Sequence, residues 1–184
     1  MRIIGITWTV GAGKWTVVEY MVKNMWFTHF SVRSFLELEL DKLWLPHDRD
    51  QLRILADGLR KQHWPSYVID QMYKKAESMG VDAIIESIRC IWEIDKLRQY
   101  KDFFLLWVDA DRKTRYERVF LRWSATDNIT YERFIEQENK EIHTKNPYEM
   151  NLVWCLELAD EVIRNDGTPE QLYLEVVRAI PLEE

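Results

Sequence analysis

The stretch Thr9-Val10-Gly11-Ala12-Gly13-Lys14-Trp15-Thr16 constrains this chain more than any other. It follows an apolar run, Ile3-Ile4-Gly5-Ile6-Thr7, and leads into a helical pattern, Val17-Val18-Glu19-Tyr20-Met21-Val22. Strand, glycine-bearing turn, lysine, hydroxyl and helix in that order make an anion cradle. Backbone N–H groups of a tight loop converge at a helix N-terminus, where unpaired donors and the helix dipole favour negative charge. The spacing assigns Gly11, Ala12, Gly13, Lys14, Trp15 and Thr16 to the phosphates of ATP. Lys14 supplies a cation for the β/γ-phosphates and Thr16 a hydroxyl for Mg²⁺. The strict pattern, G-x-x-x-x-G-K-[ST], asks for Gly at position 8 and a hydroxyl at 15, and both are Trp. A variant with Gly between the Lys and the Thr uses Thr16 but still wants Gly at both places. An indole there fills space that a phosphate needs, or strains the turn if φ is positive.

The composition sharpens this oddity. The chain has 9 Trp and only 6 Gly in 184 residues, where about 7% Gly is usual. Trp26, Trp44, Trp64 and Trp123 stand where turn chemistry favours Gly. The pattern reads as an altered sequence, engineered or otherwise, in which several glycines became Trp. An apolar content of 47% with 30% charged residues describes one globular domain spanning 1–184. A net charge of −6 argues against non-specific nucleic-acid binding. Neither a signal-peptide pattern nor an apolar run of membrane length is visible, so no membrane role and a cytoplasmic location are expected. Cys90 and Cys155 fit no metal or redox spacing and read as buried thiols. The four histidines show no metal spacing either.

Five strands alternate with helices. Strands are expected at 3–7, 28–32, 82–86, 103–108 and 161–164, the fourth apolar enough to be covered on both faces. Helices are expected from Val17, at 33–42, 49–63 with Asp48 as cap, 66–79 closed by Gly80, 91–100, 112–122, 131–145 and 150–158. A closing helix opens with Thr168-Pro169-Glu170-Gln171, a capping box with Pro at the first helical position. The order predicts an α/β fold of three layers, a five-stranded parallel sheet with helices on both faces.

Charged residues at strand ends are the remaining candidates. In parallel α/β sheets, ligands collect at the carboxyl ends of strands. Arg33 and Arg89 lie just past the second and third strands, and a guanidinium forks onto phosphate. Glu86 and Asp109 end apolar strands and are rival carboxylates, Glu86 for the acceptor hydroxyl or Mg²⁺ and Asp109 for Mg²⁺. A strand-end acid is also readable as a helix cap, and either arginine as a solvated or salt-bridged surface group. Arg118 and Arg122 share a helical face leading into the polar connection 123–130, with Arg115 and Glu117 alongside; a plain charged helix surface is the alternative.

In this order, the chain resembles P-loop nucleotide kinases. Thr9–Thr16 carries the likeness at the front, and Ala159-Asp160-Glu161-Val162-Ile163-Arg164-Asn165-Asp166-Gly167-Thr168 at the back. The latter is similar to the A-D-x-V-I-x-N-x-G-[ST] run of dephospho-coenzyme A kinases. Val108-Asp109-Ala110 with Arg115, Glu117-Arg118 and Arg122 resembles that family's fourth strand and lid entry. The resemblance implies a P-loop fold with a small lid at about 115–131. It also implies that Arg118 and Arg122 close over the phosphates and that Asn165 lies near the donor base. Glu86-Ser87-Ile88-Arg89 departs from that family and is closer to an adenylate-kinase-like group with an acid-G-I-R run. The implied activity is phosphoryl transfer from ATP to a small nucleotide, by a monomer or homodimer. A nucleotide-binding module without turnover, or a folded form silenced by Trp8 and Trp15, remains open.

Overall fold

In the computed structural model, residues 1–100, 102–121, 130–142 and 151–181 are described. The chain runs β1 (Ile3–Trp8), α1 (Lys14–Asn24), β2 (Thr28–Phe30), α2 (Val32–Lys42), α3 (Arg49–Gln62), α4 (Tyr67–Met79) and β3 (Ala83–Glu86). It continues through α5 (Ile91–Leu97), β4 (Phe103–Asp109), α6 (Arg112–Leu121), α7 (Tyr131–Ile142), α8 (Leu152–Glu157), β5 (Glu161–Arg164) and α9 (Pro169–Ala179). All four strand pairings are parallel, in the order β2-β3-β1-β4-β5. The expected three-layer α/β architecture is present.

Alternation along the strands builds two cores. Ile3, Ile85, Leu105 and Trp107 face one layer, with Leu36, Leu40, Ile69, Met72, Ile94, Leu97 and Cys155 packed against them from α2, α4, α5 and α8. Ile4, Ile6, Ile84, Leu106, Val108 and Ile163 face the other, against Val17, Val18 and Met21 of α1 and Leu172 and Val176 of α9. Each such side chain contributes about 1.5–3 kcal/mol on burial. Truncating the fully buried Leu105 costs roughly 2–5 kcal/mol.

Caps set the helix bounds. Ser31 accepts from the Ser34 N–H, so α2 starts at Val32, and β2 is correspondingly two residues shorter than its apolar pattern. Asp48 caps α3 by accepting from Gln51 N–H at 2.9 Å. Gly80 closes α4 in the left-handed region, at φ 64°. The capping box at the start of α9 is formed as its sequence dictates, with Thr168 and Gln171 bonded reciprocally. α5 stops at Leu97 instead of reaching Tyr100, since the chain tightens into turns there (Gln99 N–H to Lys96 O, Tyr100 N–H to Leu97 O). The expected extension of α7 to Lys145, the break at Asn146-Pro147 and residues 122–129 of the expected lid lie outside the described residues.

Trp26 and Trp44, both placed by sequence at glycine-like turns, adopt φ of 61° and 55° and are about nine-tenths exposed. No helix among the described residues is long and apolar enough to cross a membrane.

The strand order opens a crevice. β1 and β3 are neighbours, yet α1 leaves β1 toward one face and α5 follows β3 on the other. The gap at their carboxyl ends is the place where such sheets bind ligands.

Candidate phosphate-binding site

The loop between β1 and α1 bends through two left-handed glycines, Gly11 at φ 83° and Gly13 at φ 90°. A side chain at Gly11 would collide with the Arg115 backbone carbonyl, and one at Gly13 with the Asn165 amide. Only glycine satisfies both the conformation and the space at these two positions.

The loop leaves several of its own donors unused. Ala12 N–H donates to Thr9 O and Thr16 N–H to Gly13 O, each at 3.0 Å. Among the described residues, the N–H groups of Gly11, Gly13, Lys14 and Trp15 meet no acceptor. Four free donors at the start of an 11-residue helix are the arrangement that attracts an anion. A second observation points to the same ligand. Arg118 Nη1 is buried and has no described partner, and it lies 3.9 Å from where a Gly13 Cβ would stand. A buried guanidinium nitrogen left unbonded is costly and fits a site shaped for an anion.

Lys14 lies inside this site and is itself only 8% exposed. Its Nζ donates to Glu86 Oε2 at 2.6 Å. It also sits between two indoles, 4.0 Å from the Trp8 ring centroid and 4.3 Å from that of Trp15. Burial pushes the Lys14 pKa down, opposed by the Glu86 carboxylate. Burial likewise pushes Glu86 up, but Lys14 and Ser87 overcome it and hold that carboxyl down to about 2. Ser31 Oγ (3.1 Å) and Ser87 Oγ (2.6 Å) donate to Glu86. His29 Nε2 stands 3.8 Å away, too far for a hydrogen bond. Ser87 adopts φ 70°, a left-handed conformation that favours glycine.

The other candidates scatter around this centre. Arg89 donates from Nη1 to Trp8 O at 3.2 Å and stacks its guanidinium 4.1 Å from the Trp8 ring centroid, so it shares that indole with Lys14. Arg33 is exposed and pairs with Glu37 one helical turn on, yet its charge still helps depress Lys14. Thr16 is half-buried in the first turn of α1. Asp109 is used as an anchor, and this makes it a poor Mg²⁺ ligand: Oδ1 accepts from Thr9 Oγ1 and faces Arg115 Nε at 3.4 Å, and Oδ2 accepts from Arg164 Nη1 at 2.8 Å. Asn165 is buried and donates to Ala12 O at 2.8 Å. It therefore touches the phosphate loop directly. Arg122 lies outside the described residues. Cys90 and Cys155 are both free and buried, with burial pushing the Cys155 thiol up to about 12.

Sequence reasoning undervalues Arg115. Read as part of a charged helix surface, it is 5% exposed and donates to Ala110 O (2.9 Å) and to Val10 O (3.3 Å) while pairing with Glu138 of α7. Its spacing from the buried Val119 on the inner face of α6 is the available signal.

Known proteins resemble this chain at low identity. No family model matches it. A UPF0200 protein of Staphylothermus marinus is 23% identical over 163 residues, covering 89% of this chain and 82% of its own length. One from Methanococcus vannielii is 26% identical over 173 residues, covering 90% and 88%. Among solved structures, a shikimate kinase from Bacteroides thetaiotaomicron superposes with a TM-score of 0.60 at 11% identity, covering 96% of this chain and 95% of that one. A dephospho-CoA kinase from Campylobacter jejuni gives 0.53 at 14% identity, covering 97% and 95%. The three-layer α/β fold is thus shared with these solved kinases.

Proposed function

We propose that this chain is a phosphotransferase that passes the γ-phosphoryl of ATP to a small phosphorylated nucleotide, a nucleoside monophosphate or a dephospho-coenzyme A-like acceptor. One observation carries the reading: four unengaged amides at the start of α1 lie beside the unbonded Arg118 nitrogen. Phosphoryl transfer asks little covalent chemistry of a protein. It asks for alignment and for positive charge around the transferring group. Gly11, Gly13, Lys14 and Trp15 would hold the triphosphate through backbone N–H groups, while Arg118 and the Lys14 ammonium neutralise its oxygens. Thr16 is the candidate to hold Mg²⁺, which would offset negative charge on the phosphates. Arg89, anchored beside Trp8, and Arg33, at the start of α2, are the candidates for the acceptor's phosphate. Glu86 competes with the nucleotide for Lys14 and takes it back when the site empties.

A second reading has its own support. Trp8 and Trp15 flank Lys14, so they oppose its swing toward a triphosphate. The positive φ at Trp26 and Trp44 favours an altered sequence in which Trp replaced Gly. On this reading the chain keeps a kinase's architecture with weakened ATP binding.

The test is an ATP titration with and without Mg²⁺ on the chain and on its Trp8→Gly/Trp15→Gly variant, followed by a panel of monophosphate acceptors. Phosphoryl transfer by the chain itself supports the proposal. Tight binding by the variant alone supports the second reading. If neither protein binds millimolar ATP, both are wrong.

A further inference from the structure

The amides of the phosphate loop do not aim themselves. A trans peptide unit is planar, with its C=O and the following N–H pointing in opposite directions. Whatever holds a loop carbonyl therefore fixes the direction of the next N–H. Two such carbonyls are held here from outside the loop. Arg115 Nη1 donates to Val10 O, across 105 residues of sequence, and that peptide's other end is the free Gly11 N–H. Asn165 Nδ2 donates to Ala12 O, across 153 residues, and its peptide ends in the free Gly13 N–H.

We infer that Arg115 and Asn165 are positioning residues that turn the Gly11 and Gly13 amides toward the bound anion, an inference resting on the phosphate-binding role proposed above. Neither needs to touch the nucleotide. Both are buried, and each is fixed in turn. Arg115 is gripped by Ala110 O, Asp109 and the buried Glu138 of α7, whose carboxylate also pairs with Arg112 Nε at 2.7 Å. Asn165 follows β5 and its own N–H donates to Asp109 O at 2.7 Å. Asp109 thus serves both props, and its Oδ1 accepts from Thr9 at the loop's entry as well. The ends of β4 and β5 and the helix α7 become one brace behind the loop. Without it, the left-handed glycines have ample freedom to rotate either peptide, and preorganised donors are worth more than ones that must be ordered on binding. This moves Asn165 from the donor base, where family resemblance put it, to the back of the phosphate loop.

The test uses the full chain carrying Asn165→Ala or Arg115→Lys, with amide ¹H–¹⁵N spectra of the free protein and MgATP titration. Asn165→Ala should shift the Gly13 amide and Arg115→Lys the Gly11 amide, with changes confined to the loop. MgATP affinity should fall about tenfold in each while the thermal midpoint of Asn165→Ala stays within a few degrees of the parent. If Arg115→Lys fails to fold, Asn165→Ala alone carries the test, since it removes one side-chain donor. Unmoved Gly11 and Gly13 amides would overturn the inference, and so would moved amides with parental affinity. A parent that binds no nucleotide would overturn the proposed phosphotransfer instead, and the amide shifts alone would then decide this inference.

Discussion

Two buried ion pairs, one on each face of the sheet, are built from the same charges and put to opposite uses. Arg60 of α3 meets Glu93 of α5 at 2.8 Å, with side chains 11% and 1% exposed. Lys14 of α1 meets Glu86 of β3 at 2.6 Å, with 9% and 1%. At the first pair the carboxylate is fully engaged. Glu93 also accepts from the N–H groups of Arg89 and Cys90, and Arg60 has Asp57 nearby. Burial lowers the Arg60 pKa but Glu93 more than reverses it, so the group stays charged and fixed. At the second pair the cation is a single ammonium on a flexible stem, its pKa pushed down by burial, next to amides with no described partners. A guanidinium locked between carboxylates holds structure, whereas an ammonium on a rotatable chain changes partners. The pair on α3 and α5 is a rivet, and the pair beside the loop is a latch.

This difference predicts effects of graded size. Breaking the rivet should cost most: Glu93→Ala strands Arg60 in the interior and should lose about 3–5 kcal/mol in urea unfolding. Lys14→Ala should lose only about 1–2 kcal/mol, because Ser31 and Ser87 still donate to Glu86, while MgATP affinity falls at least tenfold. Equal stability losses from the two variants would erase the distinction. Acid should discriminate next. The Glu86 carboxyl is held down to about 2 in the folded chain against an ordinary 4.5. Its contribution is therefore complete above about pH 4.5 and lost as pH falls toward 2, and Glu86→Gln should flatten the stability profile across that window. Smallest are the surface changes. Trp26→Gly, at φ 61° and 90% exposed, should raise stability by about 1 kcal/mol in thermal unfolding by removing left-handed strain. Arg33→Ala should leave stability within about 0.5 kcal/mol, since its pair with Glu37 is exposed, and should raise KM for the acceptor alone.

Sequence and structure agree where the information is local. The apolar run at 103–108, the Asp48 cap, the Thr168-Pro169-Gln171 box and the glycines at 11 and 13 each dictate their own conformation from neighbours within a few residues. The site is legible only as far as the loop itself. Lys14 finds Glu86 across 72 residues and Arg115 finds Val10 across 105, and periodicity within one helix carries no information about partners that distant. Asp109 illustrates the limit: an acid ending an apolar strand reads as a metal ligand, but Thr9, Arg115 and Arg164 engage both its oxygens. Trp26 and Trp44 do occupy left-handed turns as their glycine-like context suggests, whereas Trp64, read the same way, and Trp8 and Trp15 do not have positive φ.

The most direct measurement tracks the Gly11, Gly13 and Lys14 amide protons of the Trp8→Gly/Trp15→Gly variant by ¹H–¹⁵N spectroscopy as MgATP is added. A working phosphate loop predicts saturable downfield shifts at these three, lost when Lys14→Ala is introduced. Shifts clustered elsewhere on the chain, or an unchanged loop at millimolar nucleotide, would contradict it.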